Sequence, residues 1–152
     1  MRKLFLALLA AISLVAGAQA STNVFNSNEV GPTVFGAFNT TTKEVGVGVG
    51  LDYFPLQKYV GIEASTVFYD LKGQAFDNVD GVALIRYPFE IQRIAPVGVV
   101  GVHHDFGTDK TELVAGARLS YRANDKWGVW GGYERLVESQ KDVVKVGIDL
   151  RF

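Results

Sequence analysis

The chain has no cysteine, two histidines, four prolines and one methionine in 152 residues. Without cysteine there is no disulfide framework, no thiolate chemistry and no lipobox for a lipid anchor. The two histidines, His103 and His104, are adjacent, and the sequence holds no zinc spacing, phosphate loop or nucleotide fingerprint. Charge of one sign is lacking too: 15 basic residues face 16 acidic ones, a balance that argues against a nucleic-acid partner. After residue 20 no apolar run approaches the roughly 20 residues that a spanning helix needs, so no helical anchor is expected there.

What is present begins with residues 1–20, MRKLFLALLAAISLVAGAQA. Arg2 and Lys3 form a positive n-region, Leu4 to Ala16 an apolar h-region, and Ala18-Gln19-Ala20 a small-x-small cleavage site. This is the pattern of a secretory signal peptide, with cleavage expected before Ser21. These twenty residues hold two of the 15 basic residues and none of the 16 acidic ones, so the remaining 132 carry a net charge of −3. That length suits one domain. Residues 21–31 are polar and unpatterned and read as an N-terminal strap, leaving residues 32–152 as the folded domain.

From Pro32 onward the chain reads as strands. Eight runs stand out: Thr33–Asn39, Glu44–Phe54, Tyr59–Tyr69, Val79–Phe89, Pro96–Phe106, Glu112–Arg122, Trp127–Leu136 and Asp142–Phe152. Most are about 10 residues long, the length of a tilted transmembrane strand, and turn-forming clusters separate them. Alternation is cleanest in the last run, where Val144, Val146, Ile148, Leu150 and Phe152 oppose Lys145, Gly147, Asp149 and Arg151. The second, third and sixth runs alternate as well, with Val67 and Val114 out of phase. The first, fourth and fifth carry apolar residues on both faces and leave the phase open.

Alternation alone fits two opposite proteins. A soluble barrel or sandwich hides the apolar face; a transmembrane barrel turns it toward lipid. Two features favour the second. Gly46, Gly48, Gly50, Gly61, Gly116 and Gly147 lie on the charged faces, where a narrow barrel needs room opposite long arginines and glutamates. Aromatic residues gather near strand ends (Tyr53, Phe54, Phe68, Tyr121, Trp127, Phe152), as in interfacial girdles.

The signal peptide, the eight runs and the ending VGIDLRF together resemble the small eight-stranded outer-membrane barrels, the OmpA/OmpX-like and opacity-protein-like porin families. The resemblance covers residues 21–152 as a pattern. It implies an all-β, eight-stranded antiparallel up-and-down transmembrane barrel in the outer membrane of a Gram-negative cell. It also implies that Phe152 serves as the assembly signal read by the barrel-assembly machinery. In ANDKWGVWGGYERL, which is similar to the families' turn into the penultimate strand, Glu134 supplies a lumen-facing acid. The expected outer loops, around 40–43, 71–78, 107–111 and 137–141, are short, unlike those of adhesins.

On this reading Glu44, Asp52, Glu63, Arg86, Arg118, Arg122, Glu134, Lys145, Asp149 and Arg151 form an interior ion network. Val45, Val47, Val49, Leu51, Ile62, Leu113, Leu119, Val144, Val146, Ile148 and Leu150 face lipid. A structural or surface-associated monomer without cofactor, metal or catalytic site is expected, its partners being outer-membrane lipid and, during insertion, the assembly machinery. Two other readings stand beside it. One is a periplasmic soluble β-barrel holding a small apolar ligand. The other is a lipid A-modifying enzyme, which would need a serine and an acid beside one of the histidines; Ser139 reaches His104 only if folding brings them together.

Overall fold

The computed structural model describes residues 29–55, 59–69, 78–86 and 93–151. Eight strands follow in chain order: β1 Glu29–Asn39, β2 Val45–Phe54, β3 Val60–Phe68, β4 Asn78–Arg86, β5 Ile94–Asp105, β6 Lys110–Arg122, β7 Trp127–Leu136 and β8 Asp142–Leu150. Each pairs antiparallel with the next, and β8 pairs back on β1 from Thr33↔Asp149 to Asn39↔Val143, which closes the barrel. The expected run Trp127–Leu136 is β7 residue for residue. Residues 29–31, read as strap, instead open β1, because β2 extends to Phe54 and its ladder pairs Glu29 with Phe54. The signal peptide of residues 1–20, residues 21–28 of the strap and Phe152 lie outside the described residues.

Turns close the strands at two ends. The loop end carries the connections at 40–44, 106–109 and 137–141; the terminal end carries the turn at 123–126. Asparagine side chains replace backbone acceptors in two of these turns. Asn39 Oδ1 accepts from the Thr41 and Thr42 amides at 3.0 and 3.1 Å, and Asn124 Oδ1 from the Lys126 and Trp127 amides at 2.8 and 3.1 Å. Lys43, Asp109 and Gln140 take left-handed backbone conformations that complete the loop-end turns.

The polarity runs opposite to that of a soluble barrel. In β3, Ile62 is 61% exposed while its chain neighbour Glu63 is 4% exposed. In β8 the charged Lys145 and Asp149 are buried and Val144, Val146 and Leu150 are exposed. The three ambiguous strands are resolved on the same rule. β1 turns Thr33, Phe35 and Ala37 inward, β4 turns Asp80, Val82 and Leu84 inward, and β5 turns Ala95, Val97 and Val99 inward. Their inward faces are partly apolar because the lumen has apolar sectors. One packs Phe54, Val82, Leu84, Val97, Val99, Val114 and Leu136; the other packs Phe35, Ala37, Val67, Trp130 and Val143. Val67 and Val114, out of phase as lipid-facing residues, are in phase as lumen filler. Phe54, expected in an outer girdle, is likewise buried in the lumen, with the Arg86 guanidinium 3.5 Å above its ring.

The inward glycines make room chiefly for aromatic rings. A Cβ on Gly48 would run into the Phe35 ring. One on Gly147 would lie 2.7 Å from Phe35 Cβ and 2.8 Å from the Trp130 ring. Of the glycines expected to serve long charged side chains, Gly116 lies against one, a Cβ there falling 2.9 Å from Glu134 Cγ; Gly132, not among them, would put a Cβ 2.5 Å from Arg118 Cγ. Gly48→Val should therefore destabilise the barrel by about 1–3 kcal/mol through overpacking. Urea unfolding of the folded chain in micelles checks this, and the Gly48 penalty should largely vanish in a Phe35→Ala background.

Candidate functional site

The lumen holds the polar chemistry, and it divides into two ion clusters. In the larger, Arg118 on β6 lies between Glu63 on β3 and Glu134 on β7. Its Nη1 and Nη2 donate to Glu63 Oε2 and Oε1 at 2.5 and 3.0 Å, a two-pronged pair, while Nε and Nη2 reach Glu134 Oε1 at 3.0 and 2.6 Å. Lys145 on β8 continues the chain, its Nζ 2.6 Å from Glu134 Oε2 and 2.9 Å from Asp80 Oδ2. Asp80 Oδ1 is 2.5 Å from His103 Nδ1, and Ser65 Oγ donates to Glu63 Oε1 at 3.0 Å. Seven residues from six strands are thus joined. The second cluster lies toward the terminal end. Arg151 donates to Asp52 and to Asp149 Oδ2, both at 2.5 Å through Nη2, and Arg122 Nη1 stands 3.4 Å from Asp149 Oδ2.

Aromatic rings seal the space between. Trp130 packs 5.5 Å from Phe35 between ring centroids, carries the Arg118 guanidinium 4.4 Å over its own ring, and donates from Nε1 to Thr33 Oγ1 at 3.0 Å. Above this layer a vestibule of about 190 Å³ opens at the loop end, lined by Asn39, Tyr69, Asp80, His103, Glu134 and Lys145 among others. Burial, the largest influence, pushes the Tyr69 phenol up to about 12, so it stays protonated at the vestibule wall. Below the layer only about 20 Å³ of space is left beside Arg118, Trp130 and Arg151.

Of the ten residues assigned to the interior network, Asp52, Glu63, Arg86, Arg118, Arg122, Glu134, Lys145, Asp149 and Arg151 are buried. Glu44 is not. It is exposed just outside β2, its Oε2 accepting from Thr42 Oγ1 at 2.6 Å, because the turn after Asn39 keeps it out of the ladder. All eleven residues assigned to the outer face point outward; Val47 and Ile148 are half-exposed and the others exposed. Sequence reasoning missed Asp80, His103, Ser65 and Arg93. Asp80 sits in β4, whose phase was open, and His103 faces the lumen with 12% of its side chain exposed. Arg93 Nη1 donates to the Ala123 carbonyl at 2.7 Å across the terminal end. The remaining candidates for catalysis are engaged elsewhere. His104 Nδ1 is 2.8 Å from Thr111 Oγ1, and Ser139 donates from N and Oγ to the Glu112 carboxylate at 2.8 Å. Among the described residues no serine is hydrogen-bonded to a histidine.

Removing one member of the larger cluster leaves its partners buried without countercharge. Glu134→Leu should cost about 3–5 kcal/mol in urea unfolding, whereas Glu44→Ala, exposed at the rim, should fall within about 0.5 kcal/mol of the parent.

No protein-family model matches the chain, and a search of curated proteins returns no relative. Solved structures do match. A de novo designed transmembrane β-barrel superposes with a TM-score of 0.68 at 16% identity, over 84% of this chain and 98% of that one. The N-terminal β-barrel domain of Pseudomonas aeruginosa OprF gives 0.67 at 17% identity, over 83% and 98%. Ail, the attachment invasion locus protein of Yersinia pestis, in complex with the heparin analogue sucrose octasulfate, gives 0.54 at 13% identity, over 84% and 100%. Identities this low speak for the fold alone. The chain has the fold of the small eight-stranded transmembrane β-barrels.

Proposed function

We propose that the protein is a small outer-membrane β-barrel of a Gram-negative cell, structural or surface-associated, with a lumen locked by ion pairs and no catalytic site. One observation carries this reading: exposed Ile62 and Leu119 beside buried Glu63 and Arg118. A wall of exposed branched side chains around buried charge is unfavourable in water and favourable in a bilayer. The height of the wall agrees. Outward residues of β2 run from Val45 to Tyr53, which at the usual strand rise and tilt spans roughly 20 Å, near the roughly 25 Å apolar band of outer-membrane barrels. The signal-peptide pattern supplies export, and Phe152 would act as the assembly signal.

The Arg118–Trp130 layer makes the lumen a packed interior. Eight strands enclose little more than their own side chains, so no steady ionic current should pass. The soluble alternative requires an apolar interior cavity, and here the vestibule mixes Asp80, His103, Glu134 and Lys145 with Val67, Leu136 and Val143. Among the described residues, the loop-end turns at 40–44, 106–109 and 137–141 are four or five residues long.

Two measurements test the reading. In cell fractionation the protein should stay with the sarkosyl-insoluble membrane and migrate differently on gels before and after boiling; release by osmotic shock would overturn it. Ile62→Arg and Leu119→Arg should each cost about 2–4 kcal/mol in folding into lipid vesicles if they lie near the midplane, and the absence of a penalty at both would count against lipid on that face.

A further inference from the structure

At one junction in the wall, side chains take over from the backbone ladder. The β3–β4 ladder runs six pairs, from Val60↔Ile85 to Ser65↔Asp80, although β3 continues to Phe68 and β4 begins at Asn78. Above Ser65 and Asp80, among the described residues, side chains bridge the two strands. Asn78 Oδ1 accepts from the Val67 amide at 3.1 Å, and Asn78 Nδ2 donates to the Val67 carbonyl at 3.2 Å. A hydrogen-bonded pair on antiparallel strands makes these two bonds through its backbones. Here the side-chain amide of Asn78 makes them instead, so it stands as a spacer between the strands. Thr66 Oγ1 likewise replaces a backbone donor, reaching the Asn78 carbonyl at 2.5 Å.

The surroundings of this junction are firmer. On its other side β3 is held by the backbone pairs Gly48↔Val67 and Val47↔Phe68, and β4 by Asn78↔Asp105 and Val79↔His104. Below, the larger ion cluster pins the last ladder pair. Asp80 is held by Lys145 Nζ at 2.9 Å and His103 Nδ1 at 2.5 Å, and Ser65 Oγ by Glu63 at 3.0 Å. Release of the Asn78 amide therefore parts the strands above Ser65 and Asp80 and no further. The groups it frees are not stranded in hydrocarbon, because Val67 and Asn78 line the loop-end vestibule. Water there can bond the Val67 amide and carbonyl, and irregular backbone at membrane depth is tolerated beside such a cavity.

We infer that the β3–β4 junction is a side door of the vestibule, with the Asn78 amide as its latch. Closed, it leaves Val67 only 2% exposed. Open, it joins the vestibule to the outer face of the wall beside Val79, which is 40% exposed. The inference rests on the outer-membrane reading, under which that outer face meets the loop-end leaflet, so the door passes molecules sideways between leaflet and lumen. The vestibule decides their size and chemistry. Its volume of about 190 Å³ takes only a compact molecule, and its lining sets Asp80, His103 and Lys145 beside Val67, Leu136 and Val143, which suits a small amphiphile. Exchanging three side-chain bonds for bonds to water makes the open form a minor state of the resting protein.

The test uses the full chain, which has no native cysteine, folded into dimyristoylphosphatidylcholine vesicles. In hydrogen exchange the Val67 amide, held by a side chain, should exchange at least roughly tenfold faster than the amide of Val114, which is buried and backbone-paired with Leu136. The second readout is labelling by N-ethylmaleimide, itself a compact amphiphile. Val67→Cys and Val143→Cys each place one thiol on the vestibule lining, the first at the door and the second away from it. Adding Asn78→Ala removes two hydrogen bonds and should speed labelling of Val67→Cys roughly tenfold, while Val143→Cys, reached through the mouth, stays within about twofold. Equal exchange at Val67 and Val114, no change at Val67→Cys, or an equal rise at both thiols would each overturn the door. Where Asn78→Ala does not fold, the exchange comparison in the parent decides alone. A protected Val67 in a parent that enters vesicles and shifts on boiling overturns the door only; a parent that stays out of vesicles overturns the outer-membrane reading with it.

Discussion

The return of β8 onto β1 is the contact on which the rest of the molecule depends. Seven residue pairs from Thr33↔Asp149 to Asn39↔Val143 join the first and last strands. In water an open sheet edge can bond to solvent; in hydrocarbon it cannot, so a sheet that crosses must close. Closure with eight strands then sets the bore. The ring is only wide enough for its own side chains, and every inward position must be chosen against its neighbours across the lumen. Gly48 and Gly147 beside Phe35, and Gly132 beside Arg118, are the consequences of that width.

The narrow bore explains the ion clusters as well. Charged side chains buried in a protein must be paired and hydrogen-bonded. Arg118 meets this by fitting its guanidinium against two carboxylates and a tryptophan face at once. Buried ion pairs of this kind add less stability than their short distances suggest, because desolvation offsets much of the attraction. Their contribution is geometric: seven side chains from six strands, joined from His103 to Ser65, permit few alternative registers. A one-residue slip of β3 would carry Glu63 to the apolar outer wall and Ile62 or Ala64 into its place.

Legibility in the sequence followed from how pure each strand face is. β8 could be read from Val144 to Leu150 because its inward face there is charged or glycine and its outward face is branched aliphatic. β4 and β5 could not, because Val82, Leu84, Val97 and Val99 fill the lumen while Ile85, Val100 and Val102 cover the outside. Single-sequence periodicity sees two apolar faces there and no phase. Asp80 and His103 were lost with those strands, although Asp80 was a signal: a lone carboxylate in an otherwise apolar run marks the inward face. Glu44, which lines the vestibule mouth but is exposed and outside the ion network, differs for another reason. Period two was extended one residue past the strand, where the turn after Asn39 had already taken over. Phe54 shows the limit of reading aromatics near strand ends as girdle residues; position along the strand does not tell which face a ring is on.

A barrel that shares its fold with a designed transmembrane protein owes that fold to physics and not to any one biological task. Among the described residues, the Arg118–Trp130 layer divides the lumen into two mouths that are unlike. The loop-end vestibule is lined by Glu44, Asp80, Asp105 and Glu134 with Lys141 and Lys145, whereas the terminal end buries Arg86, Arg93, Arg122 and Arg151 with Asp52 and Asp149. Long arginines fill space that the shorter carboxylates would leave empty, and about 20 Å³ is left beside Arg118, Trp130 and Arg151 against about 190 Å³ at the loop end. Among the described residues, the surfaces open to the surroundings are a shallow vestibule and the outer wall. Of those two surfaces, the wall is the larger, and its relief is set by where alanine and glycine stand beside leucine and valine.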